Sequence, residues 1–263
     1  MPDWLVVVIL GVIEGITEFL PISSTGHLLA AEHWLPRQSD LFNVAIQCAA
    51  VIAVIPLFRD RLEQFVRNWN DPATRAYLGK LVLAFVITGI GGLVLKKLKF
   101  TLPKELMPVA VALMVGGIAF LFIERWLKGR ALGNDVTWTI AIAVGLGQLI
   151  AAIFPGASRS GTTIILALLL GLSRPAATEF SFLVSIPTML AAGAIEMLQE
   201  LKQAGGSDEH WGLLALAAAV SAVVSFAAVK WLLRYVQSHT FESFGWYRIA
   251  VGGVLAYFAL KAS

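Results

Sequence analysis

The chain has 263 residues, of which 58% are hydrophobic and 14% charged, with a formal net charge of +3. Soluble domains carry about 25% charged residues, and a chain this long and apolar would expose large apolar patches in water, so a soluble globular domain is excluded. The modest charge gives no footing for nucleic acid, and the one cysteine, Cys48, rules out an internal disulfide and reads as a buried small hydrophobe.

The N-terminal Met1-Pro2-Asp3-Trp4 leads straight into an apolar run without the basic stretch and small-residue cleavage site of a signal peptide, so that run is expected to stay in the fold. Residues 4–35 are apolar but broken at Pro21-Ile22-Ser23-Ser24-Thr25-Gly26. Full membrane spans are predicted at about 40–58, 78–95 and 107–127. A second broken region, 136–172, is interrupted at Pro155-Gly156-Ala157-Ser158-Arg159-Ser160-Gly161, and three further spans follow at about 177–200, 211–236 and 246–261. Proline removes a helix hydrogen bond and glycine disfavours helix, so both breaks have a backbone cause. Each leaves two pieces too short to cross, and irregular backbone at that depth survives only inside protein or beside a wet cavity. Most of the eight tryptophans sit at run ends, as an aromatic belt requires.

The broken regions share a pattern. Gly11-x-x-Glu14 followed by Pro21-x-x-Ser24 matches Gly145-x-x-Gln148 followed by Pro155-x-x-Ser158. A hairpin returns to its own side and three spans do not, so the second unit would be inverted relative to the first. The predicted fold is therefore an all-α polytopic membrane protein: six transmembrane helices plus two re-entrant helix hairpins in an inverted-topology repeat. It forms one membrane domain over 1–263, with repeat 1 at about 1–130 and repeat 2 at about 134–263. On the N-terminal side stand seven cations: Arg37, Lys96, Lys97, Lys99, Lys104, Lys202 and Lys261. Twelve stand on the other: Arg59, Arg61, Arg67, Arg75, Lys80, Arg125, Lys128, Arg130, Arg174, Lys230, Arg234 and Arg248. The richer side is expected to be cytoplasmic, with both termini opposite it. The pairs Gly91-Gly92, Gly116-Gly117 and Gly252-Gly253 are expected to let helices approach closely, with the shaping of an apolar groove as the alternative.

Charge inside the apolar runs carries the chemistry. Glu14 and Glu18 are four residues apart, on one helix face. Ionised and unpaired at membrane depth they are costly, so one is protonated or a cation sits between them. Ser23, Ser24, Thr25 and Gly26 offer hydroxyls and free N–H groups at the start of a half-helix, either as a plain N-cap or as an anion nest. His27 follows in the first turn, where an acid or base would be useful. Arg159, between Ser158 and Ser160 with Thr162 and Thr163 behind, reads as a phosphate clamp or as the ion-pair partner of a glutamate. Two carboxylates and one arginine sum to about −1, and a diphosphate adds at least −2, so binding it there calls for a divalent cation, Mg²⁺ or Ca²⁺ on oxygen ligands.

These residues resemble the undecaprenyl-diphosphate phosphatases, also called bacitracin-resistance proteins. The resemblance runs through Glu14-Gly15-Ile16-Thr17-Glu18-Phe19-Leu20-Pro21-Ile22-Ser23-Ser24-Thr25-Gly26-His27, Phe42-Asn43-Val44-Ala45-Ile46-Gln47, Pro155-Gly156-Ala157-Ser158-Arg159-Ser160-Gly161-Thr162-Thr163 and Ser173-Arg174-Pro175-Ala176-Ala177-Thr178-Glu179-Phe180-Ser181-Phe182. It implies hydrolysis of undecaprenyl diphosphate to undecaprenyl phosphate, which recycles the lipid carrier of cell-wall synthesis and confers bacitracin resistance. The location implied is a bacterial inner membrane, with the site facing the periplasm. Carried onto matching positions, Glu14 and Glu18 hold metal, Ser24 is the nucleophile or a phosphate anchor, and His27 is the acid–base residue. Arg159, Ser158, Ser160 and Thr163 bind phosphate beside Ser23, Thr25 and Gly26. A metal-activated water is the alternative nucleophile. Expected partners are the polyprenyl diphosphate and membrane lipids, with room for a homodimer and no nucleic acid. The rival reading is a flippase or transporter of the lipid carrier, since inverted broken repeats with a charged midplane also serve transport.

Overall fold

A computed structural model describes residues 1–98, 105–203 and 210–262. The described chain is helical: α1 (Asp3–Thr17), α2 (Ser24–Ala31), α3 (Asp40–Val54), α4 (Arg59–Arg67), α5 (Pro72–Lys97), α6 (Leu106–Leu127), α7 (Trp138–Ile153), α8 (Arg159–Leu169), α9 (Arg174–Gln203), α10 (Trp211–Tyr235) and α11 (Glu242–Ala262). Local chemistry sets many of the starts. The Ser39 and Thr137 hydroxyls accept from the N–H groups of Phe42 and Ile140 at 3.0 and 3.2 Å, capping α3 and α7. Asp71 caps α5 by accepting from Thr74 N–H at 2.9 Å, with Pro72 at the first helical position.

Five described stretches are long and apolar enough to cross a membrane: Asp40–Arg67, Pro72–Lys97, Leu106–Leu127, Arg174–Glu200 and Trp211–Tyr235. The chain is thus a polytopic membrane protein. The first of these outruns the predicted 40–58, because the proline at 56 tightens one turn into a 3₁₀ segment, Ile55–Phe58, and α4 continues beyond it. Likewise α9 runs unbroken past Pro187. The run expected at 246–261 lies in the 21-residue α11, whose apolar character is diluted by Glu242, Arg248 and Lys261. At 1.5 Å per residue, α1 and α7 reach only about 22–24 Å and α2 and α8 less. They form two broken hairpins, α1–α2 and α7–α8, whose halves pack on each other.

Helix packing comes in matched couples. Helix α1 lies on α10 as α7 lies on α5, and α3 lies on α10 as α9 lies on α5, while α3 packs on α9 and α6 on α11. Close approach at the first couple needs residues without a Cβ. A Cβ on Gly11 would lie 2.7 Å from Ala217 O, and one on Gly145 would lie 3.0 Å from Ala84 O. The glycine pairs serve the same end in part: a Cβ on Gly117 would meet Gly245 O at 2.6 Å, and one on Gly252 would meet Ala110 O at 2.8 Å. The core between the layers is aromatic, with Phe19 edge-on to Phe182 at 5.1 Å and Phe120 stacked on Phe241 at 5.4 Å.

Several of the arginines counted as loop charges are engaged, among them Arg59 and Arg67, which both pair with Glu63. Arg248 is fully buried in α11, which removes it from the tally and leaves eleven cations on that side. Arg174 forks onto the buried carboxylate of Glu124, which also accepts from Phe241 N–H at 2.9 Å, and Arg61 pairs with Glu179 at 2.5 Å. Lys99 and Lys104, counted on the N-terminal side, lie outside the described residues.

Candidate active site

Two hairpin tips meet here. On the first, α1 presents Glu14 and Glu18 from one face, both buried at 2% and 7% exposure. The chain then turns at Pro21 and enters α2 through Ser23, held at φ 74°. The Ser23 hydroxyl caps α2 through a long 3.4 Å contact from Gly26 N–H. On the second tip the chain turns at Gly156, φ 95°, and enters α8 through Ser158 at φ 66°, whose hydroxyl accepts from Gly161 N–H at 3.2 Å. Gly156 is required by space as well as by φ, because a Cβ there would lie 2.6 Å from Val109 O.

The two capping serines are therefore Ser23 and Ser158, and the residues that open the second half-helices are Ser24 and Arg159. The sequence match had paired Ser24 with Ser158 and is one residue out of register at the tips. The first tip reaches its capping serine two residues after Pro21, and the second takes three after Pro155.

Glu18 is the hub. Its Oε2 accepts from Ser24 Oγ at 2.5 Å. Its Oε1 accepts from Arg159 Nη2 at 3.1 Å and from Gln47 Nε2, on α3, at 3.3 Å. Three helices and both tips thus converge on one carboxylate. Glu14 stands one turn back with Oε2 buried and without a hydrogen-bond partner, and the nearby cavity wall holds a second such oxygen, Asn43 Oδ1. The cavity has a volume of about 300 Å³. Its lining mixes the polar Glu14, Ser24, Thr25, Asn43 and Gln47 and the charged Glu32, Arg37 and Asp40 with the apolar Leu28, Leu29 and Val44. A second cavity, of about 370 Å³, lies beside Arg61, Tyr77, Lys80 and Asn134 and holds none of the expected site residues.

The remaining expected residues divide. Gly26 is buried at the start of α2 and its N–H is spent on the Ser23 cap. Ser160 Oγ donates to Leu20 O at 3.2 Å and so joins one tip to the other. Thr163 is fully buried a turn into α8, its hydroxyl donated to Arg159 O at 2.9 Å and shared with Ser160 O, away from the cavity wall. His27 Nδ1 lies 2.7 Å from Ser23 O, a group that only accepts, so Nδ1 carries a proton. Its Nε2 lies 2.8 Å from the Tyr247 hydroxyl, and the two rings stack at 5.6 Å. Both ring nitrogens are thereby engaged away from Ser24 and Glu18. Sequence reasoning placed none of Asn43, Gln47, Tyr247 and Arg248 in the site, and counted Arg248 as a loop charge. For Arg248 a signal existed: an arginine inside a run predicted to span, at 246–261.

The donor set suits a hard divalent cation. Two carboxylates, an amide oxygen without a partner and a hydroxyl are all oxygen ligands, and Mg²⁺ in particular takes one or two carboxylates and completes its shell with water and phosphate oxygens. Among the described residues no three His, Cys, Asp or Glu side chains cluster as a metal site.

Comparison with known proteins shows the family. The family model described as bacitracin resistance protein BacA matches residues 7–254. The chain belongs to that family. A protein of Rhizobium johnstonii named undecaprenyl-diphosphatase is 51% identical over 254 residues, covering 96% of both chains. Proteins of the same name from Xylella fastidiosa and Xanthomonas oryzae pv. oryzae are 48% and 46% identical over 247 and 257 residues, at 94% or more of each chain. The family match spans both hairpin tips, so the site geometry sits inside the shared part of the chain.

Proposed function

We infer that this chain is an undecaprenyl-diphosphatase, an integral-membrane hydrolase that releases inorganic phosphate from undecaprenyl diphosphate and returns undecaprenyl phosphate to cell-wall synthesis. The observation that carries this reading is the convergence of Ser24, Gln47 and Arg159 on Glu18, with Ser24 and Gln47 also lining a cavity of mixed polar and apolar character. A diphosphate headgroup suits the polar lining, and Leu28, Leu29 and Val44 suit the first isoprene units of its tail.

In this reading Ser24 Oγ attacks the terminal phosphorus. Its proton passes to Glu18 Oε2, to which it already donates, and the bond from that phosphorus to the bridging oxygen breaks to release undecaprenyl phosphate. Water then hydrolyses the phosphoserine and frees phosphate. Arg159 exchanges its contact with Glu18 for the phosphoryl oxygens and takes up the charge that develops on them. The N–H groups of Ser24 and Thr25 at the start of α2, with the Thr25 hydroxyl, hold the second phosphate. Ser23 and Ser158 keep both tips in their positive-φ turns, while Ser160 and Thr163 brace the second. His27 supports the first tip through Ser23 O, and its Nε2 is free to serve as acid or base when Tyr247 moves off. Glu14 and Glu18, with Asn43, would hold Mg²⁺ or Ca²⁺, which offsets the negative charge of carboxylates and substrate together.

The matched helix couples and the two broken hairpins support an inverted repeat with six spans, α11 being the sixth, and the cation excess on the side away from the termini supports a site open to the periplasm. The same couples favour a second reading, carriage of the lipid itself across the bilayer. Phosphate release from undecaprenyl diphosphate by the purified protein separates the two. The enzyme reading expects turnover that a chelator abolishes and that either Mg²⁺ or Ca²⁺ restores. A monodisperse protein that binds the lipid but releases no phosphate with either ion would overturn it.

A further inference from the structure

Arg248 is the largest fully buried side chain of the described residues, and it takes part in none of their ion pairs. A buried guanidinium is retained only where its donors are met. Here backbone carbonyls from three separate segments meet them. Nη1 donates to Pro21 O at 3.0 Å on the first tip. Nη2 donates to Gly156 O at 3.2 Å and Ala157 O at 2.9 Å on the second. Nε reaches Leu113 O, and Nη2 also reaches Ala112 O, both on α6 and both at 3.3 Å.

The bonded carbonyls lie close along the chain to the reacting groups. Pro21 stands midway between Glu18 and Ser24, and Ala157 stands two residues before Arg159. Room for the guanidinium is made by two glycines: a Cβ on Gly116 would run into Nη2, and one on Gly161 would lie 2.9 Å from Nη1. Apart from this clamp, the direct bonds holding tip to tip are Arg159–Glu18 and Ser160–Leu20 O. The first of these must open for Arg159 to reach a substrate.

We propose that Arg248 is a positioning residue for phosphoryl transfer, a buried clamp that fixes the two hairpin tips to each other so that Ser24 and Arg159 address one phosphoryl group after the Arg159–Glu18 pair has parted. It touches no substrate. Its planar fork spans three segments, which an ammonium with three donors on one point cannot do. Because Arg159 acts on charge that develops in the transition state, a misplaced tip lowers kcat more than it raises KM.

The proposal rests on the phosphatase reading, and wild-type turnover in the same assay separates failure of one from failure of the other. In detergent, Arg248→Gln is expected to lower kcat by roughly 100-fold with KM within about threefold of wild type, the cost of a misplacement on the order of 1 Å. Arg248→Lys is expected to recover part of the loss. Gly116→Ala keeps the charge but displaces the guanidinium, and is expected to give the same split between kcat and KM. Combined with Arg248→Gln it should cost little more than Arg248→Gln alone, since both remove one clamp. A monodisperse Arg248→Gln protein with kcat within threefold of wild type would overturn the proposal, and so would a rise in KM at unchanged kcat. If Arg248→Gln cannot be purified folded, Gly116→Ala decides, and unchanged kcat there counts against the clamp.

Discussion

The two hairpin tips share a backbone and differ in chemistry. Each enters its second half-helix through a serine at positive φ, 74° at Ser23 and 66° at Ser158, and each serine caps the N–H three residues on. Behind the first tip stands Glu14, and at the matching place behind the second stands Gln148, whose Nε2 donates to Thr88 Oγ1 at 3.0 Å. After the capping serine the first tip carries Ser24 and the second carries Arg159. One turn geometry thus supplies an acidic, hydroxyl-bearing half on one side and a cationic half on the other. Opposed charges meet at Glu18 because the divergence lies in a few side chains while the backbone that aims them is kept.

That comparison makes a sharp demand. Changes to the chemistry should act unequally at the two tips, and changes to the shared turn should act alike. The largest effect is expected at Ser24. Ser24→Ala removes the group that donates to Glu18 and should cut kcat by roughly 10³-fold or more if the hydroxyl is the nucleophile. A loss under tenfold would assign the attack to water and leave Ser24 as an anchor. A far smaller effect is expected from Ser23→Gly and Ser158→Gly, measured side by side. Glycine takes positive φ without strain and replaces a capping serine at a cost of only a few tenths of a kcal/mol. Each variant should therefore stay within about threefold of wild-type kcat with similar thermal stability. A large loss at one serine alone would give that hydroxyl a role beyond the cap and break the equivalence.

Much of this candidate site was legible because charge is rare inside apolar runs. Glu14, Glu18 and Arg159 stand out against leucines and alanines, and the proline and glycine breaks at 21–26 and 155–161 mark where the helices end. What sequence reading missed follows from what hydropathy sums over. A window average does not say which face of α11 carries Arg248, so that arginine counted as loop charge although it lay inside a predicted span. The pairs Arg174–Glu124 and Arg61–Glu179 join residues 50 and 118 positions apart, beyond any local pattern. The slip of one residue between Ser24 and Ser158 arose because spacing was counted from proline, whereas the turn is set by the residue that holds positive φ. Nothing in the sequence pairs His27 with Tyr247, 220 residues away. The extra length of α3 into α4 was hidden by Pro56, which one 3₁₀ turn absorbs.

The measurement that bears most directly on the central claim, that both tips form one phosphatase site, is single-turnover phosphate release by Arg159→Ala beside wild type, with undecaprenyl diphosphate binding followed in parallel. Arg159 belongs to the second hairpin and Ser24 to the first, so the account expects release to fall by roughly 10³-fold or more, as for loss of a transition-state arginine, while the lipid still binds. Release within tenfold of wild type from a folded Arg159→Ala protein would contradict it, because the first hairpin would then be carrying out the chemistry alone.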